Sequence, residues 1–266
     1  MVKEDIRINE LIMFSSLARY IDFCDNQCEL TYADIACDHG YIGEKLLNTG
    51  VAENVIFSDI SAKSLQKARN LITKSSNIKK SLFFIGDGLS VIKSPIFACV
   101  IAGVGGREIV KILKSEKQVL SKYFVLQTSQ DDLFLLNELI SMGFLIVADK
   151  IIKVKNHIYR TMLVTKETGS YDDKIFSFLK DRNLIHCEIS PQLLNNYKNF
   201  NSIYFGKMNI LNFGENHYNT LHWLNNRLKQ NLEQLNVSIE SVSLVKFRAE
   251  LKEKIRLLDK MLEWVI

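Results

Sequence analysis

The sequence predicts an α/β fold: a mostly parallel sheet that ends in an antiparallel hairpin, followed by a helical domain. Three observations carry this expectation. Short apolar runs alternate with helical segments from residue 32 to residue 142, the signature of a sheet built from strand–helix–strand units. Two strand-like runs, 144–155 and 157–165, then follow each other across Asn156, so at least one terminal strand should run antiparallel. Beyond Thr165 strand patterning stops, and leucines recur at spacings of three and four.

The elements read in order as follows. Residues 4–25 place Ile8, Leu11, Ile12, Phe14, Leu17, Ala18 and Ile21 at amphipathic helical spacing. A strand over 32–36 leads into Asp38-His39-Gly40, and a helix follows over 41–48. A strand at 54–58 precedes a helix at 61–74 that Ser61 can cap. A third strand, 81–85, ends at Gly86-Asp87-Gly88, and a fourth, 97–102, ends at Gly103-Val104-Gly105-Gly106 before a helix at 107–117. A fifth strand at 123–127 precedes a helix at 131–142, closed by Gly143. Strands apolar along their whole length belong in a sheet covered on both faces.

Residues 166–174 are polar and read as a linker. The chain is therefore expected to divide into a domain over 1–165 and a helical domain over 166–266. In the latter, Leu221, Leu224, Leu228, Leu232 and Leu235 mark one helix, and Leu244, Phe247, Leu251, Ile255, Leu258 and Leu262 mark another. The spacing is that of a coiled-coil seam, and the short connection favours an antiparallel pair.

Composition narrows the class. Hydrophobic residues are 47% and charged residues 24% of 266, ordinary for a globular protein with a sizeable core. The net charge of +4 fits a nucleic-acid partner without requiring one. Of five cysteines, Cys24 and Cys28 have no second pair to complete a zinc set, so no metal is expected and the thiols read as reduced. No apolar run reaches the ~20 residues of a membrane span, and Glu4, Asp5 and Glu10 interrupt the N-terminus, so it does not read as a signal peptide. The expectation is a cytoplasmic protein.

In open α/β sheets, ligands bind beyond the carboxyl ends of the strands, near the switch in strand order. Four strand ends here carry special residues: Asp34 to Gly40, Asp59, Gly86-Asp87-Gly88, and Gly103 to Gly106. The first turn lacks Gly-x-Gly-x-x-Gly, which disfavours a dinucleotide. It carries carboxylates, which would repel a pyrophosphate but suit the ammonium and sulfonium of S-adenosylmethionine. Asp59 is where a carboxylate can accept hydrogen bonds from both ribose hydroxyls, and Asp87 can reach an adenine amino group. Both could instead do simple turn and cap chemistry.

The motifs Ala33-Asp34-Ile35-Ala36-Cys37-Asp38-His39-Gly40-Tyr41, Gly86-Asp87-Gly88-Leu89 and Ile101-Ala102-Gly103-Val104-Gly105-Gly106 resemble those of the bacterial tRNA (adenine-N1)-methyltransferases that modify adenosine at nucleotide 22 of the D-arm, the TrmK family. The resemblance covers residues 12 to 165 and, by architecture, the C-terminus. It implies a class I methyltransferase, Rossmann-like sheet with a C-terminal coiled coil. The implied cofactor is S-adenosylmethionine, held by Asp34, Ala36, Asp38, His39, Gly40, Tyr41, Asp59, Ile60, Gly86, Asp87, Gly88, Ala102, Gly103 and Val104. Two departures stand out. Ala36-Cys37 replace Gly-Ser, and Leu126-Gln127-Thr128-Ser129 replace Leu-Gln-Pro-Asn.

The implied reaction is methylation of adenine N1, for which positioning supplies most of the acceleration. N1 lies on the pairing edge, so the target must be unpaired or extruded. Asp38 is the first choice to stabilise the cationic product or relay a proton; His39 either assists or fixes the turn. The tRNA would be held by Arg107 and Lys111, by Lys153, Lys155 and Arg160 on the hairpin, and by Arg227 and Lys246 of the coiled coil, with Lys79, Lys80, Lys229 and Arg248 as further candidates. The protein is expected to act as a monomer. Two other functions remain open from sequence: an inactive RNA-binding or scaffold protein on this fold, and a methyltransferase with a protein or small-molecule substrate.

Overall fold

A computed structural model describes residues 5–22, 29–115 and 120–182, and helical positions scattered between 222 and 259. Its elements are α1 (Ile6–Ile21), β1 (Thr31–Ile35), α2 (Tyr41–Asn48), β2 (Asn54–Asp59), α3 (Ala62–Lys74), β3 (Ser81–Ile85), β4 (Ile96–Ile101), α4 (Gly106–Lys114), β5 (Ser121–Thr128), α5 (Asp132–Ser141), β6 (Leu145–Val154), β7 (His157–Thr165) and α6 (Asp172–Asp181). Short 3-10 turns precede and follow β3.

The seven strands lie in the order β3-β2-β1-β4-β5-β7-β6. Pairs among β1 to β5 are parallel, and β7 runs antiparallel to β5. The hairpin doubles back so that β7 sits inside and β6 takes the edge. Its two-residue turn is Lys155-Asn156, with Lys155 at φ 55°. Strand order reverses between β1 and β4, so the loops leaving these two strands face each other at the same rim.

The elements expected before residue 166 are present with small shifts of boundary. Asp5 rather than an earlier residue caps α1, its carboxylate accepting from the Arg7 amide. Ser61 caps α3 through the Ser64 amide at 3.2 Å. Gly143 closes α5 at φ 78°. The linker is shorter than expected, because α6 already starts at Asp172.

α1, α2 and α3 pack in sequence against one another, and α4 packs on α5. Phe57, Val100, Leu126 and Val164, from four different strands, are fully buried between them. One expectation fails: the sheet is not covered throughout. On the edge strand β3, Leu82, Phe84 and Ile85 are exposed at 57%, 41% and 65%. Apolar sequence alone does not distinguish an edge strand from a central one.

The chain divides into two compact units, one of residues 1–149 with 154–178 and one of 150–153 with 179–266. Within the second, Asn225 Nδ2 and Lys229 Nζ both donate to Asp259 Oδ1 at 2.7 Å, and the Lys153 ammonium lies 4.6 Å over the Trp223 ring. Most of the leucine seam, with Arg227 and Lys246, lies outside the described residues. No helix among the described residues is long and apolar enough to cross a membrane.

Candidate active site

A cavity of about 530 Å³ opens where the β1 and β4 loops meet, within the range of small-molecule sites. Ala36, Cys37, Asp38, His39 and Tyr41 line it from the first turn, and Ala102, Gly103, Val104 and Gly105 from the fourth. The β5 loop adds Gln127, Ser129 and Gln130, α1 adds Asp5, Arg7, Ile8 and Leu11, and β7 adds Tyr159.

Every second residue of the first turn is left-handed. Ala36 stands at φ 57°, Asp38 at 44° and Gly40 at 76°. Only Gly40 adopts this without cost. A side chain at Gly40 would also put its Cβ 2.8 Å from that of Ala68 in α3. The turn is held by hydrogen bonds from the Cys37 amide to Ser58 O at 3.0 Å and from the Gly40 amide to Cys37 O at 2.7 Å. Asp59 completes the anchorage. Its two oxygens accept from the Asp38 amide at 3.0 Å and the Ser61 amide at 2.8 Å. A carboxylate has about four lone-pair sites, so Asp59 keeps acceptor capacity for hydroxyl donors.

Asp34 does not reach the cavity wall. It is 1% exposed, and its carboxylate accepts from the Gly43 amide in the first turn of α2 at 3.0 Å. Asp34 and Gly40, expected at the cofactor, are buried and absent from the lining of the cavity; both lie behind the turn and position it. Burial, with a smaller contribution from the Asp59 charge, pushes the Asp34 carboxyl up to about 7.

Asp38 points the other way, with its side chain 63% exposed. It accepts from Ser64 Oγ at 3.2 Å and meets His39 Nδ1 at 2.7 Å. His39 Nε2 in turn lies 3.3 Å from Lys67 Nζ, and its ring stacks on Tyr41 at 5.6 Å. Burial tends to raise the Asp38 carboxyl, but the hydrogen bonds and charges of His39, Ser64 and Lys67 outweigh it and hold the group below its ordinary value.

Of the remaining expected residues, Gly86 donates to Asp59 O at 3.2 Å, Asp87 is exposed, and Gly88 is buried against Ile112 at φ 56°. Ile60 is 73% exposed. Gly106 supports the β5 loop from below. Its amide donates to Gln130 O at 3.0 Å, and a Cβ there would sit 2.6 Å from Asp131 O. Where the TrmK pattern has proline, Thr128 is buried, and its hydroxyl donates to Gln130 O at 2.7 Å and accepts from the Gln130 amide. A side-chain turn thus replaces a ring as the means of fixing this loop.

The expected RNA contacts divide. Arg107 and Lys111 are each 69% exposed and form surface pairs with Asp131 and Glu108. Lys79, Lys80, Lys153 and Lys155 are exposed. Arg160 is a correction. Its side chain is fully buried, paired with Asp149 and 3.4 Å from Asp132, so it cannot meet a phosphate. Its hairpin position suggests an exposed cation, but β7 is buried continuously from Arg160 to Thr165. Asp5, Arg7, Gln130 and Tyr159 were missed. They carry no local motif: Asp5, Arg7 and Tyr159 reach the cavity because α1 and β7 flank β5, and Gln130 because it lies on the loop leaving β5. No group of three or more metal-binding side chains lies among the described residues.

The family described as "Methyltransferase domain" matches residues 16–162. The chain is 31% identical over 139 residues to the "Putative tRNA methyltransferase" of Mycoplasma pneumoniae, a match over 51% of this chain that spans 63% of that relative's length. Its fold is similar to that of M. capricolum TrmK in complex with S-adenosyl-homocysteine, with TM-score 0.62 and 19% identity over 94% of this chain and 97% of the other. It is equally similar to the B. subtilis m1A22 tRNA methyltransferase TrmK, with TM-score 0.62 and 18% identity over 98% and 100%.

Two outcomes test the turn. Ala36→Gly should relieve left-handed strain and stabilise the protein by about 1 kcal/mol, a rise of roughly 2–4 °C in thermal midpoint. Asp34 binds its proton more tightly folded than unfolded, so its contribution to stability falls as pH rises from about 4 to about 7. Asn at 34 can still accept from Gly43 but never charges. The midpoint of Asp34→Asn minus that of wild type should therefore grow more positive between pH 5 and pH 8; a flat difference would refute a buried, charge-penalised Asp34.

Proposed function

This chain belongs to the methyltransferase domain family, and from that premise we propose that it uses S-adenosylmethionine to methylate N1 of adenosine 22 in the D-arm of tRNA. The observation that carries the reading is the cavity at the β1/β4 switch point, walled by an acidic, left-handed turn. Among the described residues its lining includes one arginine, which is paired with Asp5, and no lysine. That donor set fits a cationic amino-acid and sulfonium group and does not fit a pyrophosphate. The open space around Gly103, where a Cβ would meet nothing within 4 Å, also leaves room for a ligand against the backbone. The resemblance of the motifs to TrmK, and a relative named as a tRNA methyltransferase, support tRNA as the substrate.

Within this reading Ala36, Asp38, His39, Tyr41, Ala102, Gly103 and Val104 hold S-adenosylmethionine, with Asp59 and Ile60 at the ribose and Gly86, Asp87 and Gly88 at the adenine. When bound, it supplies an electrophilic methyl group. The chain's own task is to present adenine N1 in line and to exclude water. N1 uses its ring lone pair, so no proton need be removed first. Positive charge then develops on the base. Asp38 is ionised at neutral pH and is a weakened base, so it suits stabilising that charge better than taking the N6 proton. The loop Thr128-Ser129-Gln130 shapes the space for the base.

Residues 1–165 would form the catalytic domain. The helical domain 166–266, read as ending in an antiparallel coiled coil, would add tRNA contacts at Arg227 and Lys246 to those of Arg107, Lys111, Lys153 and Lys155. The protein would work as a monomer in the cytoplasm.

Incubation of purified protein with an unmodified tRNA transcript and S-adenosylmethionine, followed by nucleoside analysis, should yield 1-methyladenosine, and a transcript with guanosine at nucleotide 22 should yield none. Failure of the first, or product in the second, sinks the assignment. At saturating S-adenosylmethionine, Asp38→Asn should lower turnover about 10²-fold; wild-type turnover would remove Asp38 from the mechanism.

A further inference from the structure

We propose that Arg7 is a phosphate-binding residue of the substrate pocket, a preformed guanidinium that receives a backbone phosphodiester of the extruded nucleotide. The inference rests on the reading of RNA as substrate. It names a contact that no sequence motif marks.

Arg7 is held by Asp5, Tyr159 and Gln127. Its amide and its Nε both donate to Asp5 Oδ1 at 3.0 Å, and Nη2 meets Asp5 Oδ2 at 2.5 Å. Its guanidinium carbon lies 5.4 Å from the centre of the Tyr159 ring, with Nη1 3.5 Å from the phenol oxygen. Its carbonyl accepts from Gln127 Nε2 at 3.1 Å, and the same nitrogen donates to Thr161 Oγ1 at 2.8 Å. The side chain of Gln127 is buried, so the first turn of α1 is tied to β5 and β7 through an interior hydrogen bond.

Yet the guanidinium itself is 43% exposed, and Asp5 is 32% exposed. Ion pairs this open contribute about 0–1 kcal/mol to stability. Folding therefore gives a weak account of why a planar cation is held so firmly. Its position gives a stronger one. Asp5, Arg7, Gln127 and Tyr159 all line the cavity that contains the acidic first turn. A polyanionic substrate entering that cavity meets the Asp38 carboxylate, and among the described residues Arg7 is the one arginine or lysine lining it. A guanidinium has five donors in a fixed fork, and Asp5 engages two of them. Tyr159 takes a third, two remain for a phosphate, and the monoanionic phosphodiester can also displace the carboxylate. Asp5 then acts as a stand-in that keeps the fork oriented until RNA arrives.

The test uses the full chain, full-length tRNA transcript and S-adenosylmethionine, with initial rates at several salt concentrations. Arg7→Gln should raise KM for tRNA about tenfold, leave KM for the cofactor within twofold, and reduce the slope of log KM against log salt by about one. Asp5→Asn keeps a side-chain cap on α1 but removes the competing charge, so KM for tRNA should fall. The opposite signs separate a phosphate contact from a structural pair, for which both variants would raise KM alike. An unchanged salt slope in Arg7→Gln, or a raised KM in both variants, overturns the proposal while wild-type methylation of tRNA stands. Wild-type protein that does not methylate tRNA overturns the substrate reading, and this inference with it.

Discussion

The carboxylate of Asp59 holds two turns of the chain at once. One oxygen accepts from the Asp38 amide in the loop after β1, and the other from the Ser61 amide at the start of α3. Parallel pairing of β1 with β2, which sets Ile35 beside Ser58, delivers the first turn to it. The left-handed conformations of Ala36 and Asp38 in this run would otherwise each cost free energy. Asp59 and the Ser58 carbonyl give its amides partners, so the run persists. Its consequences spread from there. Gly40 can start α2 against Ala68, and Asp38 is turned outward toward His39, Ser64 and the cavity.

The same arrangement concentrates negative charge. Asp34, Asp38 and Asp59 stand at the ends of two adjacent strands, and the innermost, Asp34, is driven toward its neutral form by burial. An acidic rim of this kind is electrostatically unsatisfied toward a cation and hostile to an anion. Under the proposed function, such a rim suits the cationic cofactor and offers nothing to a polyanionic nucleic acid. The positive group for the latter has to come from elsewhere in the fold, and Arg7 arrives on α1, from the N-terminal end of the chain.

The sheet was legible because its strands are short, apolar and separated by helices with clear caps, of which Ser61 and Gly143 are examples. The rim was legible because Asp and Gly clusters fall at strand ends, where a parallel sheet gathers them. What was not legible depends on tertiary neighbours. Nothing local in Leu82 or Phe84 marks β3 as an edge. Arg160 reads as a surface cation until β6 and α5 supply Asp149 and Asp132. Asp34 reads as a ligand group until its burial is seen. Arg7 and Tyr159 are 152 residues apart and become neighbours only through α1 lying on β7.

The central claim is that the turn organised by Asp59 is a binding site for S-adenosylmethionine and its product. Calorimetric titration of S-adenosylhomocysteine into wild-type protein and into Asp59→Ala, with the fold of each checked by circular dichroism, tests it most directly. The account predicts one site per chain in wild type and affinity weaker by about 100-fold or more in the variant, since two amides lose their acceptor and the turn its anchor. No binding to wild type, or equal affinity in a folded Asp59→Ala, would contradict it.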